Sequence, residues 1–184
     1  MADSDQQLVR QFVEAGDPAA FATLVERHRP RLRRLLWTLF NGNNDDVDDA
    51  EQEILLALYT DLGRFRHEAA FSTYLYRYAR NKAIDMLRKH ARARRRALAF
   101  ANQPQPMVDP EEEAAAHHDE ELALAAVMAL PRADRELILM QESERMSIQE
   151  ISRVSGLRPG TIKSRLHRLR KRLADDLRQL GVEV

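Results

Sequence analysis

The chain has 184 residues, 44% of them hydrophobic, and 29 basic side chains balance 29 acidic ones to a formal net charge of zero. That length suits one ordinary domain or two small ones, and the absence of cysteine excludes a disulfide framework and any thiolate metal site. The longest apolar run, LALAAVMAL at 122–130, is about half of what a bilayer span needs.

The first residues, MADSDQQLVR, are acidic and polar, the reverse of a secretory signal. A cytoplasmic chain with no stable membrane insertion is expected. Zero net charge conceals blocks. Residues 41–63 hold seven acids and no Lys or Arg, whereas residues 74–96 hold nine Lys/Arg and one acid. Residues 97–131 again hold seven acids and no base, and 158–172 seven bases and no acid. Screening confines each charge to about 10 Å at moderate salt, so the blocks act separately. Two cationic surfaces parted by acidic ones predict two contacts with a polyanion.

In chain order, Asp3 or Ser4 can cap a first helix that ends near Gly16. Asp17 and Pro18 open a second, running through AAFATLVERHRPRLRRLLWTLF with a bend expected near Pro30, and NGNN at 41–44 stops it. Asp45 and Asp46 suit the positive end of a third helix reaching about Leu62. Its apolar stripe is Val47, Ala50, Ile54, Leu58 and Leu62; Asp49, Gln52, Glu53 and Leu56 fall mostly on the far side. An acidic face with a stranded leucine suits a protein partner better than nucleic acid, with Leu56 as its apolar anchor. A loop around RFRHEAAF (64–71) follows.

The next helix begins YLYRYARNKAIDMLRKHAR at 74–92 and holds three of the four tyrosines. Helical period puts Leu75, Tyr76, Ala79, Ala83, Met86 and Leu87 on a core face. Tyr74, Arg77, Tyr78, Asn81, Asp85, Arg88 and Arg92 share the opposite side. Tyrosines bordered by Arg and Asn can stack unpaired bases, each stack contributing about 1–3 kcal/mol. Duplex stacking costs about 1.4 kcal/mol per step to undo, so strand capture here needs a larger machine to help.

Residues 100–118 change register: prolines, acids and no aromatic beyond Phe100 mark a linker. Helical pattern resumes at Leu122. The expectation is an all-α protein of two small helical domains, 1–96 and 120–184, joined by an acidic, proline-containing linker at 97–119, the second domain a helix-turn-helix.

That second domain is read from PRADRELILMQESERMSIQEISRVSGLRPGTIKSRLHRLRKRL. Ser147 and Glu150 form a capping box before Ile148, Ile151 and Val154. Ser155 and Gly156 break the short helix, and Arg158, Pro159, Gly160 and Thr161 start the next. In it Ile162, Leu166, Leu169 and Leu173 line the back; Gly160, Ser164, His167 and Lys171 face forward, flanked by Lys163 and Arg168. A short helix, a glycine turn and a helix with a cationic front describe a helix-turn-helix whose second helix fits the major groove. Arg165, Arg170 and Arg172 suit phosphates beside it.

No catalytic constellation is evident and no cofactor is implied. The carboxylates at 45–53 point in different directions along one helix, and His117–His118 lie in the acidic linker, so no metal site is expected.

These motifs resemble the sigma factors of bacterial RNA polymerase, in particular the small extracytoplasmic-function (ECF) type. The resemblance covers nearly the whole chain: DDAEQEILLAL then FSTYLYRYARNKAIDMLR match region 2, and LPRADRELILM…MSIQEISRVSGLRPGTIKSRLHRLRKRL matches region 4. It implies that Asp49, Gln52 and Glu53, as D-x-x-Q-E, dock on the clamp helices of the polymerase core, with the flap as a second contact. It implies that Phe65 to Phe71, Arg66 included, form the loop that holds a flipped base of the minus-ten element. Asn81, Asp85 and Arg88 then match the N-x-x-x-D-x-x-R helix beside it, and Lys163, Ser164, His167 and Arg168 the positions that read the minus-thirty-five element. Tyr74 stands where the family usually carries Trp, and keeps a stackable ring. An anti-sigma partner is implied as well, with promoter DNA as the nucleic acid. A stand-alone helix-turn-helix regulator accounts for residues 131–173 equally, but not for the tyrosine face or the acidic helix.

Overall fold

A computed structural model describes residues 4–100 and 118–179, which are helical with short joints and, among those residues, hold no strand. Helix α1 (Asp5–Ala15) begins at a reciprocal cap: the Ser4 hydroxyl accepts the Gln7 N–H at 3.3 Å, and the Gln7 amide oxygen accepts the Ser4 N–H at 2.7 Å. Helix α2 (Pro18–Leu39) is capped by Asp17, whose carboxylate accepts the Ala19 N–H. It continues as helix through Pro30, which lies on the exposed side. At its end Asn41 and Gly42 take positive φ of 56° and 78°. Gly42 is required twice over, because a Cβ there would also stand 3.1 Å from the Trp37 ring.

Helix α3 (Asn44–Asp61) is capped by Asn43, with Asp45 and Asp46 in its first turn as the dipole favours. One 3₁₀ turn (Leu62–Arg64) and a loop lead to α4 (Phe71–Phe100), which continues four residues past the expected domain edge at 96. Helix α5 (His118–Met128) starts the second half, and the linker expected at 97–119 lies mostly outside the described residues. Helix α6 (Arg132–Ile138) runs into a single π turn (Leu139–Ser143). Helix α7 (Ile148–Ser155) carries the expected Ser147/Glu150 capping box and ends at Gly156, φ 75°; α8 (Pro159–Gln179) follows.

Two apolar clusters hold the molecule. The smaller joins α1, α2, the end of α3 and the start of α4 through Leu8, Leu24, Leu58, Leu62, Phe71 and Leu75. The larger is continuous from the first half into the second, from Leu35, Leu36 and Ile54 to Leu137, Met140, Ile151 and Leu166. Each fully buried side chain of this kind contributes about 1.5–3 kcal/mol.

The seam between the halves is also polar. Buried Glu144 accepts from both Arg31 and Arg34 of α2. Buried Glu136 pairs with Arg80 of α4 at 2.6 Å, and Arg135 donates to the Asn41 side chain at 2.6 Å. Arg135 is itself buried with no carboxylate at hydrogen-bond range among the described residues, and burial draws its pKa below the usual value. The two expected domains are therefore packed against each other.

Candidate nucleic-acid and polymerase interfaces

Helix α3 divides as its period dictates. Val47, Ala50, Ile54 and Leu58 are buried, while Asp49, Gln52, Glu53 and Leu56 are exposed on one stripe, Leu56 at 66%. Glu51, read from the sequence only as one of the scattered carboxylates at 45–53, is buried against α2, where Arg29 (2.9 Å) and Arg33 (2.5 Å) hold its carboxylate. Those ion pairs fix the rotation of α3; Glu51 raises the pKa of Arg29, while that of Arg33 is raised first by its bond to Asp48 at 2.7 Å and then by Glu51. Tyr59 also escaped the sequence reading, although it stands three residues beyond Leu56. It is 47% exposed and backed edge-on by Phe12 and Phe21, with ring centroids 4.8 and 5.0 Å away.

On α4 the core face is as expected: Leu75, Tyr76, Ala79, Ala83 and Met86 are buried. Burial raises the Tyr76 phenol well above its ordinary pKa. On the other side Arg77, Asn81, Asp85 and Arg88 are exposed, and Arg88 donates to Asp85 at 3.2 Å. Asp85 thus positions a cation.

Tyr74 and Tyr78 are half-buried. Tyr74 leans on Phe65, centroids 4.7 Å apart, and lies 6.0 Å from Tyr78. Desolvation, then the nearby Asp61 carboxylate, raises the Tyr74 pKa. Tyr78 departs from the expectation of a free ring. Its hydroxyl donates to Asp61 at 2.9 Å, its pKa rises by burial and that bond, and Lys82 sits 5.6 Å over the ring. Phe65 and Phe71, expected at the DNA surface, are 8% and 3% exposed. Their apolar rings drop into the smaller core cluster, so Phe71 supports the loop from beneath rather than facing a ligand.

A cavity of about 470 Å³ opens above this aromatic floor, lined by Phe65, Tyr74, Arg64, Arg66, Arg77, one carboxylate, Glu68, and, from α7, Arg153. Flat rings below and guanidinium groups around suit a base with its phosphates. His67, at φ 57°, packs its ring at a tilt against Phe65, centroids 4.5 Å apart, and helps shape the loop. Arg153 could not be found from sequence, because it reaches the cavity only through packing of the two halves.

On α8, Ile162, Leu166 and Leu169 are buried and Leu173 is half-buried. Arg158, Gly160, Thr161, Lys163, Ser164, His167, Arg168 and Lys171 are exposed. Ser164 donates to the Thr161 carbonyl at 3.0 Å, which orients its hydroxyl on the front face. Arg165 is a correction: it is tied to Asp134 of α6 at 2.5 Å and acts as a brace between helices. Arg170 is likewise paired with Glu142, at 2.8 Å.

Known proteins resemble the chain along nearly its whole length. A model of Sigma-70 region 2 matches residues 24–93, and one of Sigma-70, region 4 matches 120–173. The ECF RNA polymerase sigma factor SigM of Mycobacterium tuberculosis is 35% identical over 98% of this chain and 88% of its own length. SigW of Bacillus subtilis is 29% identical over 91% of this chain and 94% of its own. Among solved structures, CnrH in complex with the cytosolic domain of CnrY superposes with a TM-score of 0.66 at 26% identity, covering 96% of this chain and 99% of that one. The sigma factor RpoE of Bartonella quintana, crystallised with the anti-sigma factor NepR, gives 0.67 at 22% identity over 86% and 96%, a likeness of fold. With both regions matched in order and full-length relatives at this identity, the chain belongs to the ECF-type sigma factors of bacterial RNA polymerase.

Proposed function

We propose that this sigma factor divides its work among the three surfaces just described as it binds core polymerase and directs promoter-specific initiation. The exposed stripe of Asp49, Gln52, Glu53 and Leu56 docks on the clamp helices of the core. Region 4 meets the flap and lays the front of α8 in the minus-thirty-five major groove. Lys163, Ser164, His167, Arg168 and Lys171 are within reach of base edges and phosphates there. The Tyr74 cavity takes an unpaired base of the minus-ten element, while Arg66, Arg77, Asn81 and Arg88 hold the strand. The protein does no covalent chemistry; it positions DNA for the polymerase in the cytoplasm. Control by an anti-sigma protein is part of the proposal, in keeping with the partners in the two complexes named above.

One observation carries this reading. The acidic, leucine-bearing stripe and both cationic faces are exposed on three different helices, so each partner has a surface of its own. Tethering makes weak single contacts sufficient, because the second becomes intramolecular.

The test is to add the purified chain to core polymerase and a genomic promoter library. Discrete run-off transcripts that vanish with Gln52→Ala/Leu56→Ser support the assignment. Specific DNA binding without core, and no transcripts with it, would instead identify a stand-alone regulator.

A further inference from the structure

A second cavity, of about 520 Å³, lies between α4 and α6, and none of the three surfaces uses it beyond Arg88. Four guanidinium groups line it, Arg80 and Arg88 from α4 and Arg132 and Arg135 from α6, against the single carboxylate of Glu136. We propose that this cavity is a binding site for two linked phosphate groups, carried by inorganic diphosphate or by a nucleoside diphosphate. The site stands whichever surface meets promoter DNA.

Charge is the first support. Glu136 is shared, 2.6 Å from Arg80 and 4.0 Å from Arg132, so four cations against one carboxylate leave the lining an excess of three positive charges. Arg88 has its partner Asp85 outside the lining, in a pair whose side chains are 66% and 64% exposed and which is therefore weak. One phosphate monoester carries about −1.5 to −2 at pH 7, so neutralising that excess takes two such groups joined.

Arg135 is the second support. It is only 6% exposed, its Nη groups are taken up by the Asn41 oxygen at 2.6 Å and the Met128 sulfur at 3.4 Å, and its Nε–H has no acceptor among the described residues. Burial, and then the Arg132 charge, holds its pKa below the usual value. A buried cation without a counter-charge is unfavourable, and an anion in the cavity supplies one. The donors are also of the right kind. A guanidinium is a planar fork that pairs with two phosphate oxygens at once. Asn41 lines the cavity too, and with its oxygen held by Arg135 its side-chain NH₂ is left to donate. The volume lies within the range of about 300–1,000 Å³ usual for small-molecule sites. Leu39, Ile84 and Leu87 add an apolar wall that suits a base or a sugar.

The test is calorimetric titration of the full chain, at matched ionic strength, with sodium diphosphate, ADP, GDP and orthophosphate. Orthophosphate should bind at least about tenfold more weakly than the diphosphates, because it forgoes charge-assisted contacts. Arg132 is 44% exposed, so Arg132→Ala should leave the thermal melt of the free chain nearly unchanged. It should weaken diphosphate binding by about tenfold or more, the loss of one charge-assisted bond. Arg10→Ala, at an exposed position of α1 outside the cavity, should alter neither. Arg135→Met removes the buried charge while keeping much of the bulk and should abolish binding; Arg132→Ala keeps the test decisive if that variant fails to fold. Equal affinity for diphosphate and ADP supports the free anion as ligand, whereas clearly tighter ADP or GDP supports a nucleotide lying on the apolar wall. Diphosphate binding no tighter than orthophosphate, or indifferent to Arg132→Ala, overturns the proposal. So does a single-stranded oligonucleotide that displaces diphosphate and loses the same factor in Arg132→Ala, since the cavity then belongs to the path of DNA.

Discussion

Tyr74 and Tyr78 are four residues apart on one helix, yet the structure gives them different tasks. Tyr78 spends its hydroxyl on Asp61, so Tyr78→Phe should remove a charge-assisted hydrogen bond and cost about 1.5–3 kcal/mol of stability. A thermal melt checks it, and no change in Tm would show the bond to be idle. Tyr74 makes no such bond among the described residues; its ring is what matters. Tyr74→Phe should leave open-complex formation nearly intact, whereas Tyr74→Ala should lose about 1–3 kcal/mol, roughly 5- to 150-fold, of promoter opening measured by permanganate footprinting. Equal losses in the two variants would locate its role in the hydroxyl. Arg165 makes a third contrast. Its ion pair with Asp134 predicts that Arg165→Ala alters stability more than minus-thirty-five binding, while Arg168→Ala does the reverse, relaxing discrimination by about 1–3 kcal/mol in a band-shift series.

Among the elements, α7 is the shortest α-helix after α6 and relies most on its ends. The Ser147 hydroxyl accepts the Glu150 N–H while the Glu150 carboxylate accepts from the Ser147 N–H and hydroxyl. Ser147→Ala should therefore cost about 1 kcal/mol and lower Tm by about 2–4 °C for a chain of this size. The same bonds hold the Glu150 carboxyl below the usual carboxylate range, the Ser147 backbone N–H being the largest cause. Because the folded pKa is depressed, this stabilisation is present above the unfolded value and is lost as pH falls through the folded one. An acid titration followed by circular dichroism should show Glu150→Gln removing part of the stability at neutral pH while differing little once the carboxyl is protonated. On α3, the stripe should respond as a docking surface: Leu56→Ser should weaken core binding by about tenfold or more, in line with a central apolar anchor, without a change in the melt.

For the molecule as a whole, two salt dependences are expected and can be told apart. Duplex binding should fall with a log–log slope near about 0.9 per phosphate neutralised, and a flat response would remove both cationic faces from consideration. Salt should also loosen the seam at Glu144 and Glu136. The chain's one tryptophan reports on this, since Trp37 lines the groove shared with Val127, Met128, Ile138 and Leu139 of the second half. A red shift of its fluorescence with rising salt is the expected outcome, and an unchanged spectrum would show that salt leaves the seam closed.

Most of the helices, their caps and the stripes of α3, α4 and α8 were legible in the sequence, because each depends on residues within four positions of one another. Ser147 with Glu150, the 3.6-residue recurrence of Val47, Ala50, Ile54 and Leu58, and the cationic front of α8 are all local patterns, and they also carried the family resemblance. What the tertiary structure alone decided involves partners far apart in the chain: Arg31 and Arg34 with Glu144, Arg80 with Glu136, Thr73 with Glu150. It also chose which aromatic rings sink and which stay half in water, burying Phe65 and Phe71 and leaving Tyr74 at the rim of a cavity. The physical reason is that helical periodicity assigns a side chain to a face, but only the packing of one helix against another determines what that face meets.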